Sequence, residues 1–323
     1  MARNDSYIRT GTATVTLNAG SHYLLSPLPQ WEQFPAVLRG KIRLSGTKST
    51  NPIAVGDKVE YAVESDPVDL EHPAVITGIV DRKNYLIRKS TNLSKQSHVI
   101  AANIDMAYII VTLYFPEIKL PLLDRILVTC EAYGVPATIV LSKTDLYRDA
   151  DPDYLAHFHD IYEGAGYRIL ETSSRTGEGV GEIREEIKGK VCLFSGESGV
   201  GKSSLIKALD PSLDPKIGEI SLAHLQGKHT TSLYEMYKVS TGGWIIDSPG
   251  IRGFGLTGID REEISLYFPE MKRIGEECRF KPCTHTHEPG CAVKEAARDG
   301  RISAERYSSY LGMLEENMKF RQG

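Results

Sequence analysis

The octapeptide Gly196-Glu197-Ser198-Gly199-Val200-Gly201-Lys202-Ser203 constrains the fold of this 323-residue chain more than any other feature. It meets G-x-x-x-x-G-K-[ST] at every fixed position. Its flanks agree, with an apolar strand pattern over 190–194 and a helical pattern over 202–209. The glycines let the backbone curl so that successive N–H groups face a phosphate. The helix start, where Ser204 follows Ser203, adds a favourable partial charge. Lys202 is expected to bridge β- and γ-oxygens, and Ser203 to offer Mg²⁺ a hydroxyl. A loop of this kind requires an α/β sheet around it.

The rest of the chain supplies one, with modules on either side. From about residue 104, apolar strands (MAYIIVTL, PATIVLS, YRILETS, KVCLFSG, GWIIDSP) alternate with helical stretches at 122–133, 154–164 and 202–209. That rhythm predicts a mainly parallel sheet covered by helices. TSLYEMYKVS, Thr241-Gly242-Gly243 and WIIDS read as a hairpin that adds one antiparallel strand. Before residue 90, TATVTL, YLL, AVLRGKIR, DKVEYAV and AVITGIV are short strands separated by turn residues, which predicts a small closed β-barrel. The polar stretch 89–97 reads as a linker. Beyond residue 255 the strands stop, and amphipathic helices are expected at 292–299 and 303–318. The expected domains are 1–90, 91–255 and 256–323.

A phosphate loop alone does not choose a base. Guanine presents N1–H and N2–H₂ donors that adenine lacks, so recognition needs an acceptor. Leu141-Ser142-Lys143-Thr144-Asp145 follows the strand PATIVL, at the carboxyl end where such sheets bind ligands. It resembles the N-K-x-D motif of the GTPase superfamily. Asp145 would accept both guanine protons and Lys143 would lay its stem along the base. Ser142 replaces the asparagine with a shorter group that makes fewer contacts. Glu171-Thr172-Ser173-Ser174 resembles the S-A-K-like loop that reads guanine O6 through backbone N–H. Asp247-Ser248-Pro249-Gly250 resembles D-x-x-G, whose Asp holds Mg²⁺ through water and whose Gly senses the γ-phosphate. Gly227-Lys228-His229-Thr230-Thr231 resembles the switch-one loop, with Thr231 preferred over Thr230 as the Mg²⁺ ligand. In an ordinary small GTPase the phosphate loop comes first; here the guanine motifs precede it. Circular permutation produces that order while keeping spatial neighbours.

Three of the five cysteines crowd into Cys278-x4-Cys283-x-His285-x5-Cys291, a turn-rich stretch containing Pro282, Pro289 and Gly290. Three thiolates and an imidazole suit a closed tetrahedral zinc site. His287 competes with His285 as the fourth ligand. Cys130 and Cys192 sit in apolar segments and read as packing residues. An odd cysteine count points to a reducing compartment. The N-terminal MARNDSYIRTG lacks a leader's apolar stretch, and no segment reaches the roughly 18 apolar residues of a membrane span. A net charge of -4 excludes a polycation, so any nucleic-acid contact must be a local patch.

GESGVGKSS, GKHTT, DSPG and CRFKPCTHTHEPGC, together with the barrel and the permuted order, resemble the ribosome-small-subunit-dependent GTPases of the RsgA (YjeQ) type over nearly the whole chain. The resemblance implies a multidomain protein: an N-terminal OB-fold barrel, a permuted P-loop GTPase domain and a C-terminal helical zinc-binding domain. It implies a cytoplasmic monomer that binds the small subunit and its 16S rRNA late in assembly. Mg²⁺-dependent hydrolysis of GTP to GDP would be stimulated by the subunit and coupled to release. Arg39, Lys41 and Arg43, with Lys48 and Lys58, form a basic barrel segment suited to RNA. The position after D-x-x-G is Ile251, which cannot orient a water. The expected catalytic residues are therefore Lys202 and His229, where the family places a histidine. Two other readings compete: an RNA-binding module in which nucleotide only sets conformation, and a metabolic P-loop kinase or ATPase. Asp145 and Asp247 argue against the second.

Overall fold

The computed structural model describes residues 8–39, 53–89, 97–213, 234–248, 256 and 258–321. The first five strands are β1 (Arg9–Ala19), β2 (His22–Ser26), β3 (Phe34–Leu38), β4 (Lys58–Val63) and β5 (Ala74–Ile79). Their order is β1-β2-β3-β5-β4, and β1 pairs with β4 to close the barrel. This is the expected five-stranded barrel, in OB-type order. Alternate residues of the strands, among them Val15, Leu25, Val59 and Ile76, fill its interior.

β6 (Tyr85–Lys89) and β7 (Ser97–Ala102) form an antiparallel hairpin in which Lys89 pairs with Ser97. The expected linker at 89–97 is thus bounded by paired strands, and the boundary drawn at residue 90 falls between them. Leu86, Ile100 and Ala101 belong to the core of the α/β unit, and Val55 joins them by a bridge to Ala101. Gly56 lets the barrel approach this hairpin. Its φ is +90°, and a Cβ there would lie 2.1 Å from the Ala102 carbonyl.

The α/β unit runs β8 (Met106–Val111), α1 (Leu120–Ala132), β9 (Ala137–Leu141), α2 (Pro152–Gly164), β10 (Arg168–Glu171), α3 (Val180–Glu186), β11 (Val191–Gly196), α4 (Lys202–Leu209), β12 (Tyr234–Lys238) and β13 (Trp244–Asp247). The strand order is β10-β9-β8-β11-β13-β12, parallel except for β12. The phosphate-loop strand β11 is therefore central, flanked by β8 and β13. One apolar cluster lies under α1 and α2, and another under α3 and α4. Asp151 caps α2 by accepting from Tyr154 N at 3.1 Å. At the far edge, Leu17 and Asn18 of β1 pair with Glu235 and Tyr234 of β12, so barrel and domain share one continuous sheet.

The C-terminal unit contains a 3-10 segment (Arg261–Tyr267), α5 (Pro269–Gly275), α6 (Ala292–Arg298) and α7 (Ala304–Arg321). The first two were not expected. They are short, and the 3-10 segment packs on α1 and α7 as well as on α5. Ser303 Oγ accepts from Arg306 N at 3.2 Å and fixes the start of α7. Val128 of α1 packs in this unit's core. That explains why α1 is apolar nearly all round: it is covered by the sheet and by the C-terminal unit. Among the described residues, no helix is long and apolar enough to cross a membrane.

Candidate nucleotide site and metal centre

The loops that follow β8, β9, β10 and β11 gather at the carboxyl edge of the sheet with Ser248 at the end of β13, where open α/β sheets hold ligands. In the phosphate loop, Gly199 and Gly201 take φ of +87° and +98°. Gly196 faces a tight approach, since a Cβ would meet the Ile110 carbonyl at 2.6 Å. No side chain caps α4, whose N-cap is Gly201, so its first amides point toward the space a phosphate would fill. Lys202 Nζ donates to Asp247 Oδ1, joining the phosphate loop to the D-x-x-G element. Ser195 and Ser248 hydroxyls lie 2.9 Å apart and tie the ends of β11 and β13 together. Gly250, His229, Thr230 and Thr231 lie outside the described residues.

The guanine loop docks directly on the phosphate loop. Ser142 is buried, and its hydroxyl donates to the Val200 carbonyl. Lys143 adopts φ 61°, and its Nζ donates to Gly199 O at 2.5 Å and Phe115 O at 2.8 Å. Its stem lies against Gly201, with Cε 3.5 Å from where a Cβ would stand. Thr144 Oγ1 donates to Thr172 O at 3.1 Å, which holds the two base-reading loops together. Thr172 and Ser173 are fully buried, and Ser174 follows at the surface edge of the site. The serine at 142 has a role that the sequence reading did not foresee. A short hydroxyl reaches the phosphate-loop backbone, and its hydrogen is used there.

Asp145 has a partner missed in the sequence, Arg175, whose Nε donates to Oδ2 at 2.8 Å. Hydrogen bonds from Ser173 first, and then Arg175, hold the Asp145 carboxyl below the usual carboxylate range. It is thus ionised at neutral pH, as an acceptor of two guanine protons must be. The signal was a cation two positions beyond Ser173. Arg39 of the proposed RNA patch is exposed and pairs with Glu64. Lys41, Arg43 and Lys48 lie outside the described residues.

The structure brings Cys278, Cys283, His285 and Cys291 together, with their ligand atoms within 4.8 Å of one another. Cys278 Sγ lies 3.6 Å from His285 Nδ1 and 3.8 Å from Cys291 Sγ, and His285 Nδ1 lies 3.4 Å from Cys291 Sγ. A tetrahedron with Zn–S near 2.3 Å and Zn–N near 2.0–2.1 Å has edges of about 3.6–3.8 Å. The donor set and its spacing therefore fit zinc. His287 is exposed, with Nδ1 2.9 Å from Thr286 Oγ1, and is outside the cluster. Burial and the neighbouring thiols push the Cys283 thiol up, and a bound cation would favour its thiolate. Cys130 and Cys192 are wholly buried among apolar side chains, as expected.

A phosphate loop at the sheet centre, a guanine-type loop seated on it and a D-x-x-G aspartate bound to the loop lysine define a P-loop GTPase with its motifs permuted. The sequence profile of the RsgA GTPase family matches residues 79–257, and the chain belongs to that family of GTP hydrolases. Among its relatives is the small ribosomal subunit biogenesis GTPase RsgA of Bacteroides fragilis. That protein is 47% identical over 302 residues, covering 94% of this chain and 96% of the relative. The protein of the same name from Flavobacterium psychrophilum is 44% identical over 308 residues, covering 94% and 92%. The crystal structure of YjeQ from Thermotoga maritima superposes with a TM-score of 0.75 at 32% identity, covering 95% of this chain and 98% of that one. YloQ, described as a circularly permuted GTPase, gives 0.71 at 28% identity and covers 99% of both.

Proposed function

We propose that this chain is a GTPase of small-subunit biogenesis that binds the small ribosomal subunit and its 16S rRNA late in maturation and leaves on hydrolysis of GTP to GDP. The observation that carries the nucleotide reading is the docking of Ser142 and Lys143 on the carbonyls of Val200 and Gly199. It supports reading Asp145 as the base-reading carboxylate of the same site as the phosphate loop. The names and coverage of the relatives support the ribosomal part.

In this reading Gly196 to Ser204 cradle the phosphates. Lys202 leaves Asp247 and neutralises charge on the transferring phosphoryl group. Ser203, Thr231 and Asp247 would hold Mg²⁺, which would supply positive charge to offset that of the phosphates. Gly250 senses the γ-phosphate. His229 accepts a hydrogen bond from the attacking water through a ring nitrogen, because Ile251 cannot. Cys278, Cys283, His285 and Cys291 hold one structural zinc, and Arg39, Lys41 and Arg43 contribute to RNA contact. The protein acts as a cytoplasmic monomer.

The test is GTP turnover by the full chain with purified small subunits, large subunits or neither. Slow basal turnover with strong stimulation by small subunits alone is expected. Equal turnover in all three conditions would remove the ribosomal assignment.

A further inference from the structure

We propose that Glu235 is a positioning residue for the Mg²⁺ end of the nucleotide site, a second carboxylate that acts beside Asp247. The inference rests on the reading of this cleft as a Mg²⁺–guanine nucleotide site. Glu235 on β12 stands directly opposite Asp247 on β13. Directly opposed residues of an antiparallel pair place their side chains on one face, with Cβ atoms about 4.5–5.5 Å apart. The neighbours identify that face. Met236 and Ile246 belong to the cluster under α1 and α2, whereas Ile245 belongs to the cluster under α3 and α4. By alternation, Glu235 and Asp247 face the α4 side. There Lys202, in the first turn of α4, bonds Asp247.

Among the described residues, the contacts of Glu235 are set by its strand neighbours. On the other flank it registers with Leu17 of β1, which is buried. Tyr237, two residues along the same face, donates to its Oε2 at 3.0 Å. Burial first, and then the negative charge of Asp247, push the Glu235 carboxyl up from its ordinary value, while the Tyr237 hydroxyl pulls it down. A half-buried carboxylate next to another is costly unless a cation stands by. Without nucleotide, Lys202 stands by the Asp247 half of this pair.

Nucleotide entry changes this balance. Lys202 turns to the phosphates, and Asp247 and Glu235 are left beside a polyanion. A divalent cation is the charge that then offsets them. Glu235 should therefore do two opposite things. It should weaken nucleotide binding when Mg²⁺ is absent, and strengthen Mg²⁺ binding once nucleotide is present.

Glu235→Gln keeps the bond to Tyr237 and removes only the charge. GDP binding to the full chain is measured by calorimetry in EDTA, and then by Mg²⁺ titration of the GDP complex. The variant should need about three- to tenfold more Mg²⁺ at the midpoint. Its affinity for GDP in EDTA should be equal or higher. Glu235→Asp, which keeps the charge, should stay close to the parent. An unchanged Mg²⁺ midpoint overturns the proposal. So does a joint fall in both affinities, which would mark general damage to the fold, or a Glu235→Asp variant that behaves like Glu235→Gln. A parent protein that binds no GDP in either condition would overturn the nucleotide reading beneath it.

Discussion

Arg306, on the last helix, reaches Asp124 on the first helix of the α/β unit, with Nη1 2.8 Å from Oδ1. Both are fully buried. Nε and Nη2 of the same guanidinium hold Glu270 of α5 at 2.8 and 3.1 Å, and Tyr162 donates to Asp124 at 3.0 Å. Phe268 stacks 4.5 Å below the guanidinium. One cation thus neutralises two buried carboxylates from two structural units. The planar fork of arginine suits this task, and a lysine could not replace it.

Arg306→Met should therefore cost about 3–5 kcal/mol, because Asp124 and Glu270 would remain buried and unpaired. Urea unfolding should show a large fall in midpoint, with the loss felt in the α/β unit as well as the C-terminal unit. An unchanged midpoint in the variant would mean that the two units are held by the apolar contacts around Val128 and the Arg125–Glu316 and His157–Glu305 pairs.

Lys202→Ala should abolish GTP hydrolysis, lowering turnover by about two to three orders of magnitude, since the phosphoryl charge loses its clamp. Ser203→Ala should do the same by removing an Mg²⁺ hydroxyl. Lys202→Ala also removes the ion pair with Asp247, so fold integrity should be checked by circular dichroism. Turnover matching the parent in both variants would separate the phosphate loop from the chemistry.

Much of this site was legible in the sequence because short motifs fix backbone geometry locally. The phosphate loop, S-K-T-D and the Cys-Cys-His-Cys spacing each define a turn that needs few distant partners. The mainly parallel sheet, though not its strand order, followed from alternating strands and helices. What stayed hidden depends on long-range pairing. Arg306 meets Asp124 across 182 positions, although a charge at helical spacing from Tyr310 and Met313 was a signal. The hairpin of β6 and β7 looked like a linker because its connection is polar. That hairpin is recognised only when Leu86 and Ile100 are seen in the same core. The short α5 lacks enough turns to give a helical period.

Asp145→Asn should remove the preference for GTP over ATP. The amide can accept from only one guanine proton and sets a donor against the other. Affinity for GTP should fall about tenfold or more, as expected for one charge-assisted pair, with ATP binding unaffected. Competition between the two nucleotides in parent and variant measures this. Equal affinities in the parent would mean that the carboxylate held by Ser173 and Arg175 is not the base reader.

His229→Ala should lose most of the stimulation by small subunits while keeping nucleotide affinity, because positioning the water acts mainly in the transition state. Single-turnover rates with and without subunits separate these effects. Full stimulation in the variant would place the water-orienting group on the ribosome.

The metal site offers the last test, through a residue that is not itself a ligand. Glu288 sits between His285 and Cys291, and its carboxylate gathers the loop. Oε1 accepts from Thr284 N at 2.7 Å and Thr284 Oγ1 at 2.6 Å. Oε2 accepts from Thr286 N at 3.0 Å and His287 N at 3.2 Å. These bonds hold the carboxyl far below the usual range. They also fix His285, whose φ of 55° is an uncommon conformation for a side-chain-bearing residue. From outside, Tyr307 and Tyr310 of α7 donate to the carbonyls of His285 and Thr284 at 2.7 Å each. Cys283→Ser removes a ligand and should lose stoichiometric zinc, with melting of the C-terminal unit. Glu288→Gln keeps all four ligands but sets an amide donor against backbone donors. It should weaken zinc about 10- to 100-fold, the range for groups that orient metal ligands. Competition with a chromophoric chelator measures the affinity, and the visible spectrum of the cobalt-substituted protein checks that the three-sulfur, one-nitrogen set is retained. His287→Ala should leave both readings unchanged. Zinc affinity in Glu288→Gln equal to the parent would show that the four ligands and the two tyrosines suffice to shape the loop.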